Sequence, residues 1–335
     1  VNLSTNSKNI LVTDYTWPDT TIEANILKEY HAQLIHASTG GEAELEGLAK
    51  TAVAILTCFA HVTSEVIKAG QNLQVISRYG IGVDNIDVKT ATECGIIVTN
   101  VPAYCVDEVA EYTLSCILSF ARNLIQYNNA IRQSDWSLAD HRKLYRVSGK
   151  TLGIIGFGSI GRTVAAKAKA LGLNILVYDR KPNLEIIKSV GGVVVPLETL
   201  LTESDYVSLH IPLTPETYQF IGRDELKLMK KTALLINSSR GAIVDLQALV
   251  EALNGGHIAG AALDVFEPER IPVEHPIFQF PNVITTPHTA FYSEESLHNL
   301  RVRAAKNVAA VLQNVKPSSI VNPEVLKSPK WAALR

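Results

Sequence analysis

The chain has 335 residues and 47% of them are hydrophobic, enough for about two domains with a sizeable core. Its net charge is −2 with both signs spread along the chain, which excludes the electrostatic footprint of a nucleic-acid binder or a protein held on an anionic membrane. No apolar run approaches the ~18–20 residues of a spanning helix, and "VNLSTNSKNILVTD" lacks the basic and apolar regions of a secretory signal. Cys58, Cys94, Cys105 and Cys116 form no CxxC. They read as reduced thiols, with a cytoplasmic location and no metal site expected.

In chain order, "NILV" (Asn9–Val12) reads as a buried strand, then a helical stretch near Glu23–Tyr30, then a strand in "AQLIHA". "TAVAILTC" (Thr51–Cys58), "LQVISRYG" (Leu73–Gly80) and "GIIVTNVP" (Gly95–Pro102) continue the pattern. Short apolar runs between helical segments predict a parallel sheet with crossover helices. From Val106 the period changes. Val106, Val109, Ala110, Leu114, Ile117, Leu118, Ala121, Leu124 and Ile125 follow helical spacing, which predicts one long helix as far as Gln126. A polar stretch, "RQSDWSLADHRKLYRVSGK", comes next.

A second alternating series then runs through "TLGIIG", "NILVYD", "GGVVV", "YVSLHIP", "ALLINSS", "AGAALDVF" and "NVITTPH". Seven strand candidates separated by helical segments predict a doubly wound α/β sheet. A last helix is expected near Glu294–Gln313. The Pro- and Ser-rich tail either lies on the surface or packs back on the first sheet.

Gly156, Gly158 and Gly161 form G-x-G-x-x-G between a strand and a helix. Alone, the pattern fits any strand-to-helix turn. In this context the helix N-terminus can face a pyrophosphate. The first glycine permits the tight turn, the second lets backbone approach the phosphates, and the third lets helix and strand pack closely. The next strand ends in Asp179, whose carboxylate suits the ribose hydroxyls of NAD and repels the 2′-phosphate of NADP. Arg180 beside it is able to accept that phosphate in part. NAD is the expected cofactor, with NADP the lesser alternative.

Three polar clusters fall at predicted strand ends, where ligands of doubly wound sheets bind. "NSSRG" carries Arg240, "LDVFEPER" carries Asp264, Glu267 and Glu269, and "TTPHTAFYS" carries His288. Singly, each reads as a surface charge or a satisfied polar residue. Together, beside a dinucleotide motif, they supply what hydride transfer at a carbon–oxygen centre needs: a proton donor and a cation to hold the substrate.

The chain resembles the D-isomer-specific 2-hydroxyacid dehydrogenases over nearly its whole length. The matching segments are "RYGIGVDNIDV", "TNVPAYCVDEVAEYTL", "GKTLGIIGFGSIG", "HIPLTPET", "INSSRGAIVD", "AALDVFEPE" and "TPHTA", in that order. The resemblance implies two Rossmann-like domains, with an NAD-binding domain at about 102–298 inserted into a discontinuous, flavodoxin-like substrate domain of 1–101 and 299–335. It places the two crossings in the helices near Val106–Gln126 and Glu294–Gln313.

The resemblance also implies roles. His288 is the general acid–base, Glu269 pairs with it and raises its pKa, and Arg240 binds the carboxylate and carbonyl oxygen of a 2-oxo acid. Asp264 accepts from the nicotinamide carboxamide. Further cofactor contacts fall at Ser159, Ile160, His210, Pro212 and Ser238. Arg78 and the amides of Ile81 and Gly82 bind substrate.

Arg270 stands where relatives carry proline, as a solvated charge or an extra anion contact. Phe291, followed by Tyr292, resembles the corepressor and vancomycin-resistance D-lactate dehydrogenase branches; it either lines the substrate pocket or serves structure. A homodimer through the NAD-binding domain, with contacts from the long helix to "SDWSLADHRKLYRVSG", is implied likewise.

The reading is an NAD-dependent reductase of a small 2-oxo acid giving the D-2-hydroxy acid. The alternatives are a dinucleotide-sensing, corepressor-like interaction protein, which the short tail disfavours, and a phosphoglycerate dehydrogenase without a regulatory domain. The residues leave the physiological substrate open.

Overall fold

The structure is a computed structural model that describes residues 8–137 and 143–334. The chain forms two compact units, one from Val1–Tyr104 with Ser293–Arg335 and one from Cys105–Tyr292.

The first unit starts with β1 (Lys8–Val12), α1 (Thr21–Lys28), β2 (Ala32–His36), α2 (Glu42–Ala49) and β3 (Ala52–Thr57). It continues with α3 (Ser64–Ala69), β4 (Val75–Arg78), α4 (Val88–Glu93) and β5 (Ile97–Thr99). The strands are all parallel in the order β2-β1-β3-β4-β5, with Ile10 beside Leu34 and Ala54. Ile10, Ile55, Ile76 and Ile97 are fully buried. Strands covered on both faces must read as continuous apolar runs, and these do. Two helix starts are capped by side chains: Thr63 accepts from Val66 N and Asp87 from Thr90 N, satisfying otherwise orphaned amides.

The second unit opens on α5 (Val106–Arg122) and α6 (Leu124–Arg132). The single long helix expected from the spacing is broken. Asn123 adopts φ 53°, ψ 35°, and its N–H closes back on Phe120 O and Ser119 O. Asparagine tolerates this left-handed conformation better than other residues with a β-carbon. Leu124 and Ile125 keep the apolar period but are solvent-exposed, and no residue of α6 is buried. The chain passes from the first unit to the second between Tyr104 and Cys105, just before α5.

Seven strands and the helices between them follow: β6 (Thr151–Ile155), α7 (Ser159–Ala170), β7 (Asn174–Tyr178), α8 (Leu184–Ser189), β8 (Gly192–Val194), α9 (Leu197–Glu203) and β9 (Tyr206–Leu209). After these come α10 (Arg223–Leu228), β10 (Leu234–Asn237), α11 (Leu246–Asn254), β11 (Gly260–Leu263) and β12 (Val283–Thr285). Each arises from one of the seven predicted runs. The order is β12-β11-β10-β9-β6-β7-β8, all parallel. The strand order reverses between β6 and β9, so a crevice opens at their carboxyl ends. One face is packed by α5 and α7 through Ala110, Ile117, Phe120, Val164 and Ala168. The other is packed by α9–α11 through Leu200, Leu226 and Leu249.

The chain returns to the first unit at Ser293, whose side chain caps α12 (Glu294–Leu312) by accepting from Ser296 N. This helix packs on α1 and β4, with Ser77 Oγ donating to Ala304 O at 3.1 Å. Arg301 reaches Glu23, which is 0% exposed, with Nε and Nη2 at 3.0 and 2.9 Å from its two carboxylate oxygens. Tyr79 also donates to Glu23. The tail packs back on the first unit: Val321 N donates to Val98 O, Asn322 accepts from Val98 N, and Trp331 donates to Gly95 O.

All four cysteines are free thiols. Burial pushes Cys58 up to about 12 and Cys116 to about 11, so both are poor nucleophiles. Among the described residues no helix is long and apolar enough to cross a membrane.

Candidate active site

The glycine loop turns from β6 into α7 beside the point where strand order reverses. Gly156 has φ 93°, and a β-carbon on it would lie 2.5 Å from His210 O, the first residue after β9. Gly161 packs α7 on β6; a β-carbon there would lie 2.3 Å from Gly156 O. Gly158, the N-cap of α7, would meet nothing within 4 Å. Two glycines thus serve backbone packing, and the third leaves open space over the amides of Ser159 and Ile160. Asp179, at the end of β7, accepts from Phe157 N at 2.7 Å and from Lys181 N at 2.8 Å. It braces the loop and has further lone pairs to offer a ligand.

His210 Nε2 lies 2.9 Å from Ser208 Oγ, and burial drives its pKa down to about 4, so the ring is neutral at pH 7. The following loop is folded by Thr217, which donates to Pro212 O at 2.6 Å. Ser238 Oγ, after β10, is buried without a partner among the described residues. A buried hydroxyl without a partner is unfavourable, and a ligand's polar group would relieve it. The open space over Gly158, Asp179 and this hydroxyl fit a dinucleotide.

Arg240 follows in a half-buried turn. Asn237 Nδ2 donates to its carbonyl at 2.8 Å, and its Nη1 donates to Ser239 O at 2.7 Å. Gly241 lets this turn lie directly on the chain after β11, since a β-carbon there would come 2.0 Å from Phe266 C. Two residues before Phe266 is Asp264, 1% exposed, which organises the loop after β12. Its carboxylate accepts from Thr286 Oγ1 at 2.6 Å and from the amides of Thr289 and Ala290 at 2.8 Å, and its carbonyl accepts from His288 N at 2.7 Å. Burial pushes the carboxyl above the usual aspartate value, against the hydrogen bonds and the His288 charge that pull it down.

His288 is thereby held at φ 55°. That conformation costs about 1–3 kcal/mol and persists only where the surroundings over-determine it. Its Nδ1 lies 2.6 Å from Glu269 Oε1. A carboxylate only accepts, so Nδ1 carries the hydrogen and Nε2 is the other working nitrogen. The Phe291 ring stands edge-on to His288 at 6.2 Å, which gives it a share in positioning that ring. The carboxyl ends of parallel strands lie on one edge, so the glycine loop, Ser238, Arg240, Asp264 and His288 share the edge where doubly wound sheets bind ligands.

In the first unit, Arg78 ends β4 and is buried, with Nε unpartnered among the described residues and Nη1 donating to Tyr79 O. Gly80 suits φ 152°, and a β-carbon on it would displace that guanidinium. Among the described residues, neither the Ile81 nor the Gly82 amide has an acceptor.

Residues 114–290 match the family described as D-isomer specific 2-hydroxyacid dehydrogenase, NAD binding domain. The chain belongs to the D-isomer-specific 2-hydroxyacid dehydrogenase family. It is 43% identical over 269 residues to a glyoxylate reductase of Korarchaeum cryptofilum, covering 79% of this chain and 81% of that one. It is 38% identical over 330 residues to a D-3-phosphoglycerate dehydrogenase of Methanocaldococcus jannaschii, covering 97% of this chain and 62% of that one. The D-lactate dehydrogenase of Aquifex aeolicus, solved with NAD and lactic acid, superposes with a TM-score of 0.86 at 30% identity, covering 94% of this chain and 99% of that one. Membership makes the chain an NAD-binding oxidoreductase acting on CH–OH groups, with two Rossmann-like units.

In this family member, the structure brings Glu269 to His288 and surrounds the glycine loop with Asp179 and His210. Arg270 and Tyr292 are exposed. Several supporting residues escaped the sequence reading. Thr286 gives its one hydroxyl hydrogen to Asp264, so Tyr112 OH, 2.7 Å away on α5, must donate to Thr286. Asn237 braces Arg240, and Asn100 holds Ile81 O. Each lies inside a segment that carried the resemblance; Tyr112, Thr286 and Asn100 meet partners distant in sequence, whereas Asn237 meets Arg240 three residues on within one motif.

Proposed function

We propose that the chain reduces a small 2-oxo acid to the D-2-hydroxy acid with NADH. His288 is the proton donor, Glu269 its partner, and Arg240 the anchor for carboxylate and carbonyl oxygens. The observation that supports this most is the 2.6 Å Glu269–His288 pair on the sheet edge that carries the glycine loop. Bound NADH supplies the hydride to the carbonyl carbon. His288 Nε2 gives its proton to the carbonyl oxygen and recovers one in the reverse direction. Glu269 fixes the tautomer by holding Nδ1–H and complements the charge of the protonated ring. Arg240 offers a planar fork of donors suited to a 2-oxo acid. Asp264, whose carboxylate accepts three hydrogen bonds from the His288 loop, keeps a fourth lone pair for the nicotinamide carboxamide. The Ile81 and Gly82 amides, with Arg78, bind the substrate carboxylate. The carboxylate of Asp179 favours NAD over NADP, with exposed Arg180 as the counterweight.

The glyoxylate reductase relatives favour a substrate with little or no side chain. A second reading, 3-phosphohydroxypyruvate, is favoured by the phosphoglycerate dehydrogenase match across 97% of this chain. A homodimer through the second unit is supported by exposed Leu124, Ile125, Ile131, Trp136 and Tyr145; residues 138–142 of the expected contact lie outside the described residues.

An NADH-oxidation screen over glyoxylate, pyruvate, hydroxypyruvate, phenylpyruvate, branched 2-oxo acids and 3-phosphohydroxypyruvate tests the reading. Turnover of none of them refutes it. His288→Ala should lower turnover ~10²–10⁴-fold with NADH binding intact; undiminished turnover would remove His288 from the mechanism.

A further inference from the structure

We propose that Asn100, backed by Ser319, is a positioning residue that aims the substrate-carboxylate donors of the first unit. The inference rests on the assignment of the Ile81 and Gly82 amides made above. A trans peptide is planar, so its C=O and N–H point in opposite directions. Gripping the carbonyl of such a unit therefore aims its N–H. The carbonyl opposite the Ile81 amide is Gly80 O, which accepts from Val101 N at 2.9 Å. The carbonyl opposite the Gly82 amide is Ile81 O, which accepts from Asn100 Nδ2 at 2.7 Å. Two adjacent residues after β5 thus hold both peptide planes from behind, and both amides are left without an acceptor among the described residues.

The orientation of the Asn100 side chain is itself fixed. Its Oδ1 accepts from Ser319 Oγ at 2.6 Å, so the amide nitrogen must face Ile81. Its main-chain carbonyl accepts from Asn307 Nδ2 on α12 at 3.2 Å. Asn307 Oδ1 in turn takes Ser318 N at 3.2 Å and Ser318 Oγ at 2.8 Å. The segment after α12 therefore reaches the donor loop through a chain of hydrogen bonds. Without the Ser319 hydroxyl the Asn100 amide is free to flip and present oxygen to oxygen.

The test uses the full chain loaded with NADH and oxalate as the carboxylate probe, titrated by calorimetry. KM and kcat are also measured for a 2-oxo acid and its methyl ester. Loss of one neutral hydrogen bond predicts about three- to tenfold weaker oxalate binding in Ser319→Ala, and about ten- to thirtyfold in Asn100→Ala, which strands a carbonyl. Ser319→Thr, which keeps the hydroxyl, should bind like the parent. NADH affinity and kcat should hold in all three, and the preference for acid over ester should fall in the two alanine variants. A purely structural role would depress acid and ester alike.

Unchanged oxalate affinity in folded Ser319→Ala and Asn100→Ala overturns the inference, as does a parallel loss of NADH affinity. If Asn100→Ala does not fold, the Ser319 pair decides alone. A parent that reduces no 2-oxo acid defeats the reductase reading, and the oxalate titration still decides this one; a parent that reduces a 2-oxo acid but does not bind oxalate overturns this inference alone.

Discussion

The three glycines of the dinucleotide loop should respond to alanine in three different ways. At Gly161 the new methyl would lie 2.3 Å from Gly156 O and 3.2 Å from Ile154 Cγ2. Ordinary carbon–oxygen contact begins near ~3.3 Å, so α7 must retreat from β6 by about 1 Å. Overpacking of this kind costs ~1–3 kcal/mol, or ~2–12 °C at ~2–4 °C per kcal/mol. It also pulls the α7 amides out of place, so NADH affinity falls with stability.

Gly158→Ala has free space around it and an ordinary φ of −70°. Its stability cost is that of alanine replacing glycine at an N-cap, below ~1 kcal/mol. Its methyl stands where the pyrophosphate must approach, so NADH should bind at least ~10-fold more weakly, a loss of ~1.4 kcal/mol. Gly156→Ala combines φ 93° with a 2.5 Å clash on His210 O and should be the least stable of the three. Thermal unfolding without ligand and fluorescence titration with NADH separate the two effects. A Gly158→Ala protein that binds NADH like the parent, or a Gly161→Ala protein that melts like it, would refute the division of labour.

Asp179→Asn keeps an acceptor for Phe157 N but removes the charge, so the kcat/KM ratio for NADH over NADPH should fall; an unchanged ratio rejects the ribose role. Glu23→Gln leaves buried Arg301 only the exposed Asp19 carboxylate, 3.2 Å from Nη2, as a charged partner, and should destabilise by up to ~3–5 kcal/mol, seen as a lower denaturant midpoint; a change under ~1 kcal/mol would mean that Asp19 compensates the charge. His210 makes a third case. Its folded pKa, about 4, is depressed below the unfolded 6.5. Its contribution is therefore full above pH 6.5 and lost as pH falls towards 4, because the unfolded chain then binds the extra proton. The upper bound is ~3 kcal/mol, reduced by the ring's partial exposure. His210→Phe should flatten the stability profile between pH 4 and 6.5 in the ligand-free protein, and an equally steep profile would locate the titration elsewhere.

Strand positions were the most legible part of the chain. Parallel strands buried on both faces leave unbroken apolar runs, and every such run, from "NILV" to "NVITTPH", became a strand. The glycine loop was legible for a related reason, since Gly156 and Gly161 exclude a side chain by local backbone geometry. The break at Asn123 was not, because the apolar period continues into Leu124 and Ile125 while burial stops. Periodicity records which face is apolar, not whether anything covers it.

The sequence by itself determined the two series of strands, the dinucleotide turn and the residue types able to hold and protonate a 2-oxo acid. Only the tertiary structure decided that Asp264 spends its carboxylate on the His288 loop, that Asn100 grips Ile81 O, and that Glu23 meets Arg301. The reason is separation along the chain. A cap or a tight turn is settled within a few residues, whereas these contacts join residues far apart in sequence. They exist only once each unit has folded and brought its own helices and loops together.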